Sequence, residues 1–475
     1  MARFICLMSD TFRYDYLGCL RMKDIKTPEL DEFTEDSLFF SNYYVSSFPT
    51  IPCRDDLFCG RYSFPYHGWQ PLEKEALVMA EIFRSKGYLT QLIADTPHLM
   101  GRGYNYNRGF TGYYWIRGQE SDMPFTHCNY EIKRMTPLEK TRQHPVLSRI
   151  DPVHFGGYTS DDIHNWVNRD WRWEEDRFVA RTARTASKWI EENYKLDNFL
   201  LWIDFFDPHE PWDPPEYLVD IYDPDYTGIP MTHPNYGSAR FYTEKELKNL
   251  QAHYAAEASL VSKWIGYLIH KIKDVGIYED SMIIFMSDHG MYLGEHERTG
   301  KSGVKGSDIP GPWPLYQEIT HIPLIIHAPK IEKGRICNKL VQPPDLLPTL
   351  LDLAKIRNPG TTQGHSLASL LMEENNDWPR RYAFSSQGPL GENVQGNQPW
   401  TTVTDQNWTF LIGGSKAEKP QLYNIKDDPE EKNNLYGKRP KIENEMSQAL
   451  MKFLKFMDID DSKLRSIRRK IKDSD

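Results

Sequence analysis

Five short apolar runs punctuate the chain, at residues 4–8, 89–94, 199–206, 283–286 and 324–327. They are continuous rather than alternating, as expected of parallel strands buried on both faces. Between them, residues 76–86, 177–193 and 244–273 space their apolar positions at helical intervals. Thr27-Pro28 supplies a capping residue and a first-turn proline for a helix through Phe33. Strands alternating with helices predict an α/β fold, a parallel sheet covered on both faces. Residues 121–170 and 204–242 are rich in Pro, Tyr, Trp and Gly and too long for simple connections, so they are expected to be ordered loops around a pocket.

The pattern changes after residue 372. Residues 400–403 and 408–411 flank the turn sequence Thr404-Asp405-Gln406-Asn407, a hairpin; 422–425 reads as another strand and 441–456 as a helix. Two domains are expected: a large α/β domain at 1–372, and a small α+β domain at 373–475 with a short antiparallel sheet and a terminal helix. The basic tail at 463–472 reads as a solvated helix face.

A chain of 475 residues can bury a core without disulfides or structural zinc. Its six cysteines, Cys6, Cys19, Cys53, Cys59, Cys128 and Cys337, form no C-x-x-C pair and read as reduced thiols. With 57 basic against 67 acidic side chains and a net charge of -10, it lacks the basic excess of a nucleic-acid binder. The apolar run at 4–8 is too short for a signal-peptide core, and 18 uncharged apolar residues never occur in a row. A soluble, cytoplasmic protein with no membrane partner is expected.

In open parallel sheets, ligands bind beyond the carboxyl ends of the strands. Three runs end in acids or histidine: Asp10 after the first, Asp207-Pro208-His209 after the third, and Asp288-His289-Gly290 after the fourth. On parallel neighbours, Asp10, Asp288, His289 and His209 converge on one edge, offering oxygen and imidazole donors to a divalent ion. For any one of these acids alone, a helix N-cap is the plainer role. Pro52 suits a helix's first turn, which brings Thr50 to a helix N-terminus where backbone N–H groups favour an anion; Arg54 lies one turn on. Thr50 as a plain cap is the competing reading. Lys301, beyond the loop glycines 290 and 294, can fold back over a bound anion.

These segments, in this order, resemble the sulfatase family of the alkaline phosphatase superfamily over nearly the whole chain. Residues 10–19 resemble its opening metal strand, and Thr50-x-Pro52-x-Arg54 with Gly60-Arg61 its C-x-P-S-R…G-R signature. Residues 204–212 resemble its central histidine segment, and Ser287-Asp-His-Gly290 through Leu293-Gly-Glu-His296 to Lys301 its second metal segment. His321-Ile-Pro-Leu324, residues 345–351 and Leu422-Tyr through Asp428-Pro429 to Asn434-Leu435 resemble later landmarks. The resemblance implies a large mixed, mostly parallel sheet sandwiched by helices, with a small C-terminal α+β domain.

Three positions depart from the family pattern. Thr50 stands where sulfatases carry the Cys or Ser that becomes formylglycine, and threonine is no substrate for that oxidation. Ser9 precedes Asp10 where calcium sulfatases usually have paired aspartates. Asp288-His289 replaces the usual Asp-Asn and resembles the phosphonate-monoester and phosphodiesterase branch. A Thr nucleophile resembles the nucleotide pyrophosphatase/phosphodiesterases and the phospho-group transferases of the superfamily.

The resemblance implies a metal-dependent hydrolase of sulfate esters or related phosphoesters. Asp10, Asp288, His289 and the Thr50 oxygen would hold one divalent ion (Ca, Mn, Zn or Mg, with Mn or Zn favoured by the Asp-His pair), and Thr50 would be the nucleophile. Arg54 would stabilise the oxyanion, while Lys301 and His209 would bind the transferred group. His296 and His321 are secondary candidates, the second with a structural role as its plainer reading. Asp207, His209 and His365 are the nominees for a second ion. The expected partner is a small-molecule sulfate or phosphate ester, with no nucleic acid and with homo-oligomerisation left open. The alternatives are a phosphodiesterase or phosphonate monoester hydrolase, a phospho-group transferase, and a non-catalytic anion-binding relative. Aromatic stretches at 104–114, 166–173 and 212–226 could wall a leaving group or pack on the scaffold.

Overall fold

The computed structural model describes residues 2–472 apart from 121, 127–131, 133–135, 143–156, 305, 373–376, 391–397 and 416. Cys128, much of the 121–170 stretch and the first residues past the expected boundary at 372 therefore lie outside the described residues.

The large sheet is built from β1 (Ala2–Ser9), β2 (Leu38–Phe40), β3 (Leu89–Ala94), β4 (Gly112–Trp115), β5 (Asn198–Phe205), β7 (Ser281–Ser287), β10 (Leu324–His327) and β11 (Arg335–Cys337). The short strands β6 (Gly237–Ser238), β8 (Tyr292–Leu293) and β9 (Arg298–Gly300) form a separate small sheet. The strand order of the large sheet is β11-β2-β10-β7-β1-β5-β3-β4. β1 runs parallel to both neighbours, β5 and β7, and β3 is parallel to β5 and β4. The expectation of a parallel strand at 324–327 is corrected: β10 is antiparallel to β7 and β2. The apolar run fixed burial but not direction, which depends on the path the connecting chain takes.

Each central strand divides its side chains between two cores. Ile5 and Leu7 of β1, Phe199, Leu201 and Ile203 of β5, and Ile283 and Phe285 of β7 face one layer. That layer is formed by α1 (Pro28–Glu35), α5 (Phe178–Asn193) and α6 (Glu244–Asp274). Phe4, Cys6, Met8, Leu200, Trp202, Ile284 and Met286 face the other, formed by α2 (Thr50–Cys59), α3 (Met79–Ser85) and α7 (Leu346–Leu353). Period-2 alternation thus survives inside all-apolar strands because both faces are covered. A further helix, α4 (Ser160–Val167), opens with a capping box between Thr159 and Asp162.

The C-terminal sheet is antiparallel, in the order β12 (Ala383–Ser386), β13 (Gln398–Thr404), β14 (Trp408–Gly414), β15 (Gln421–Asn424). Trp400, Leu411 and Tyr423 pack with Phe48, Tyr292 and Tyr316 of the larger sheet's surroundings. Val403, Phe410, Ile412 and Leu422 on its other face pack under α8 (Pro440–Phe456) and α9 (Asp461–Lys472). The basic tail is thus part of α9, whose Leu464 and Ile467 are buried in that core.

Candidate active site

In β1, Ser9 sits level with Phe205 of β5 and Ser287 of β7. That register brings Asp10 and Asp288 out side by side at the carboxyl edge, with the 206–209 segment on the other flank. The chain turns at once: Thr11 adopts φ 62°, its backbone N–H donating to Asp288 Oδ1 (2.9 Å) and its hydroxyl to Asp10 Oδ1 (2.7 Å). The backbone N–H of His289 donates to the same Asp288 Oδ1 (2.8 Å). Gly290 follows because nothing larger fits: a Cβ there would lie 1.9 Å from the Glu318 carbonyl oxygen.

Asp10, Asp288 and His289 are fully buried, and one donor atom of each lies within 4.8 Å of the others. His289 Nδ1 is 3.0 Å from the Gly290 carbonyl oxygen, which only accepts, so Nδ1 carries the proton. The Nε2 lone pair is thereby left 3.3 Å from Thr50 Oγ1, 3.5 Å from Asp288 Oδ2 and 4.0 Å from Asp10 Oδ1. Burial, and next the charge of Lys301, push the imidazole down to about 3, so it is neutral at neutral pH.

Thr50 is the first residue of α2, a helix buried at every position and closed by Gly60 in the left-handed region (φ 65°). One turn on, Arg54 Nη1 lies 3.0 Å from Asp10 Oδ2 and in close contact with Asp288 Oδ2. Its Nη2 lies 2.7 Å from Asp204 Oδ1. Burial works against the guanidinium charge, and Asp204, Asp288 and Asp10 outweigh it and hold it. Asp204 is itself held by the Thr96 hydroxyl (2.6 Å) and Trp202 Nε1 (2.9 Å).

Three buried carboxylates against one guanidinium leave a formal excess of two negative charges, and Asp10 Oδ2, ion-paired with Arg54, accepts no aligned hydrogen bond despite its burial. A divalent cation offsets both deficits, and carboxylate oxygens with a neutral imidazole are a donor set such ions take. The residues fit a bound metal ion.

His209 stacks on Phe206 (centroids 3.9 Å apart) and its Nδ1 is 2.7 Å from the Glu210 carbonyl oxygen, so it too donates from Nδ1 and keeps a free Nε2. Burial lowers it to about 4, with the Lys301 charge adding to the effect against Glu210 and Asp10. Lys301, 5% exposed, sits 3.6 Å from Glu210 Oε2. Burial would raise the Glu210 carboxyl, but His209, Lys301 and His233 bring it down to about 2. The charge of Asp10 acts on His209 and that of Lys301 on His289.

Other nominated residues do not join this site. His321 is sandwiched between Tyr14 and Tyr44 and bonds the Ser41 carbonyl through Nε2 (2.9 Å), a structural role. His296 stacks on Tyr316 and lies 3.5 Å from Glu318. The proposed second-ion set is corrected: Asp207 is occupied by Gln119 Nε2 and the Val179 N–H, and His365 packs beside Trp378. Among the described residues, Asp10, Asp288 and His289 form the one group with ligand spacing.

Sequence reasoning missed Asp204 and Glu210. An acid inside the apolar run Phe-Leu-Leu-Trp-Ile-Asp was itself a signal, since a buried carboxylate needs a cationic partner. It also missed Glu120, at φ 40°, whose Oε2 lies 2.9 Å from His98 Nε2 and whose Oε1 lies 3.7 Å from Arg142.

Comparison with known proteins finds that the family model "Sulfatase" matches residues 3–356, and the model "N-sulphoglucosamine sulphohydrolase, C-terminal" matches residues 313–456. An arylsulfatase of Clostridium perfringens is 26% identical over 461 residues, 91% of this chain and 89% of the relative. An ulvan-active sulfatase of Formosa agariphila is 24% identical, covering 95% and 80%. Among solved structures, the phosphonate monoester hydrolase of Agrobacterium radiobacter superposes with a TM-score of 0.71 at 18% identity, covering 96% of each chain. A 2-O GAG sulfatase gives a TM-score of 0.68 at 19% identity, covering 96% and 92%.

Proposed function

The chain belongs to the sulfatase family of hydrolases, and from that premise we propose that it cleaves sulfate esters or related phosphoesters with Thr50 as nucleophile. The coarser statement, an enzyme of this superfamily with a metal-associated site acting on small anionic esters, is the family's. The observation that carries the finer one is the 3.3 Å separation of Thr50 Oγ1 from the unprotonated Nε2 of His289, beside two buried carboxylates.

Asp10, Asp288 and His289 would hold the divalent ion, with the Thr50 oxygen as a further ligand; Mn or Zn suits the mixed oxygen and imidazole donors. When bound, such an ion lowers the pKa of a nearby alcohol and neutralises oxyanion charge. Displacement at a tetrahedral sulfur or phosphorus passes through a loose transition state, so positioning and charge stabilisation dominate. Arg54, braced by Asp204, Asp10 and Asp288, fixes a positive charge one turn into α2, behind the helix N-terminus where an oxyanion is favoured. Thr50 attacks in line, its proton passing to solvent as the O–S or O–P bond forms and the bond to the leaving oxygen breaks. Lys301 donates to the departing oxygen. His209, neutral with a free Nε2, then accepts a proton from the water that opens the threonine ester.

A simple threonine ester lacks the hemiacetal exit of formylglycine, and phosphoryl esters of threonine open more readily at a metal site. That chemistry favours a second reading, a phosphodiesterase or phosphonate monoester hydrolase. A cytoplasmic setting is consistent with the free thiols of Cys6, Cys19, Cys53, Cys59 and Cys337. No described helix is long and apolar enough to cross a membrane.

The test is turnover of aryl sulfate, aryl phosphate and aryl phosphodiester by metal-reconstituted protein, with Thr50→Ala beside it. Turnover of one ester class, abolished in the variant, is the expected result. Equal turnover by both proteins contradicts the covalent role.

A further inference from the structure

Lys301 follows directly on β9, and Tyr236 directly precedes β6. The two strands pair antiparallel with Gly237 level with Thr299, so these residues meet at one end of the small sheet. Gly300 takes φ 102°, and a Cβ there would lie 2.9 Å from the Tyr236 ring; only glycine lets the two segments close on each other. Tyr236 itself adopts φ 56°, a left-handed conformation that a bulky residue keeps only where its surroundings hold it. The Arg142 guanidinium lies over its ring, 4.4 Å from the centroid.

What these contacts hold is Glu210. Its side chain is fully buried, and its Oε1 accepts the Tyr236 hydroxyl in a close contact. Its Oε2 lies 3.6 Å from Lys301 Nζ and 3.5 Å from His209 Nδ1, yet accepts no hydrogen bond. The Nδ1 proton goes instead to the Glu210 carbonyl oxygen (2.7 Å). Among the described residues Glu210 is the one acid within ion-pair distance of Lys301. A buried ammonium is costly without an opposite charge beside it. At 3.6 Å the carboxylate supplies that charge without capturing an N–H, so the donors of Nζ stay free for a substrate oxygen. The Lys301 charge acts on both His209 and His289, the second of which stands 3.3 Å from Thr50 Oγ1.

We propose that Glu210 is a positioning residue of the transfer step: anchored on one oxygen by Tyr236, it fixes the Lys301 ammonium at the departing oxygen of the ester. As the bond from sulfur or phosphorus to that oxygen breaks, the electron pair stays on the oxygen and an Nζ–H of Lys301 donates to it. Glu210 acts through Lys301 and not on the substrate itself. Tyr236 is the second member of the device, because its hydroxyl sets which way the carboxylate points. The assignment rests on the hydrolase reading and adds to it two residues that lie behind the reacting groups.

The experiment measures kcat/KM of the full-length, metal-loaded protein on aryl esters of the class it cleaves, from nitrophenyl to unsubstituted phenyl. Glu210→Gln keeps the shape and an acceptor for Tyr236 but removes the charge, and Tyr236→Phe removes the anchor. In Glu210→Gln, kcat/KM should fall about ten-fold on the phenyl ester and only about two-fold on the nitrophenyl ester, whose oxygen departs with little help. Tyr236→Phe should steepen the dependence on the leaving group in the same direction by a smaller factor. In a Lys301→Ala background, Glu210→Gln should change the rate little, since the two residues act as one unit. A deficit equal across the whole series overturns the proposal, as does one that adds in full to that of Lys301→Ala. Should Glu210→Gln lose its fold, Tyr236→Phe on the same series decides, and an unaltered leaving-group dependence there overturns the proposal. Wild type that cleaves no aryl ester overturns the hydrolase reading itself, whereas wild-type turnover untouched by Glu210→Gln removes the positioning role alone.

Discussion

Thr50 Oγ1 faces the unprotonated Nε2 of His289 at 3.3 Å, across from carboxylates delivered by two adjacent parallel strands. The hydroxyl comes from the first residue of a buried helix and the imidazole from a strand end 239 residues later. Their approach depends on the β1–β7 register and on Gly290, where any side chain would strike the Glu318 carbonyl.

If Thr50 is the nucleophile, Thr50→Ala should lower kcat by about 10^3-fold or more, while Thr50→Ser keeps measurable turnover. Steady-state kinetics on the best aryl ester checks this. Metal content should stay near wild type in both variants, because the other three ligands remain.

Removal of the ion should be reversible and specific. Chelation should abolish activity and lower the unfolding temperature, and Mn or Zn should restore both, since a ligand that binds only the native state stabilises it. Asp288→Asn and His289→Ala should each lose stoichiometric metal by elemental analysis. Unchanged metal content in both would remove Asp10, Asp288 and His289 as the ion's seat.

Arg54 stands between Asp10, Asp288 and Asp204, and its loss leaves three buried carboxylates without a cation. Arg54→Ala should therefore destabilise the metal-free protein by about 3–5 kcal/mol in denaturant unfolding. Added divalent metal should recover part of the loss. Arg54→Lys should fold better than Arg54→Ala and still lose activity, because an ammonium cannot reproduce the planar fork.

Stability should fall on going from pH 6.5 to 8. Glu431, buried where the C-terminal sheet meets the 317–320 turn, accepts from the Gln317 N–H (2.7 Å) and is raised to about 8, chiefly by burial. A carboxyl raised above its unfolded value stabilises fully below that unfolded value, and the contribution is lost as pH rises through the folded one. The histidines pushed down to about 4 or below (His209, His253, His289 and His321) act oppositely, and their contribution is complete above pH 6.5. The alkaline fall should be at most about 1.4 kcal/mol per pH unit for each titrating group. Denaturant melts of Glu431→Gln should show a flatter limb between pH 7 and 8 than wild type.

Much of this site is written locally. The apolar runs mark β1, β5 and β7, and the acids that close them are the residues that meet at the edge; Thr50-x-Pro52-x-Arg54 opens α2 where Pro52 suggests. The rest depends on partners distant in the chain. That Arg54 is braced by Asp204, 150 residues on, follows from β5 lying beside β1. The antiparallel course of β10 and the separation of His365 from His209 are likewise set by how the connections cross the sheet. Burial could be read from hydrophobicity; direction and pairing could not.

The central claim is a covalent bond to the Thr50 oxygen. Its most direct test is mass spectrometry of metal-loaded protein quenched in acid during turnover of the aryl ester it cleaves fastest. A sulfo or phospho adduct on the peptide carrying Thr50, absent before substrate is added and absent from Thr50→Ala, is the predicted result. Full turnover with no adduct on that peptide, and undiminished in Thr50→Ala, would contradict it.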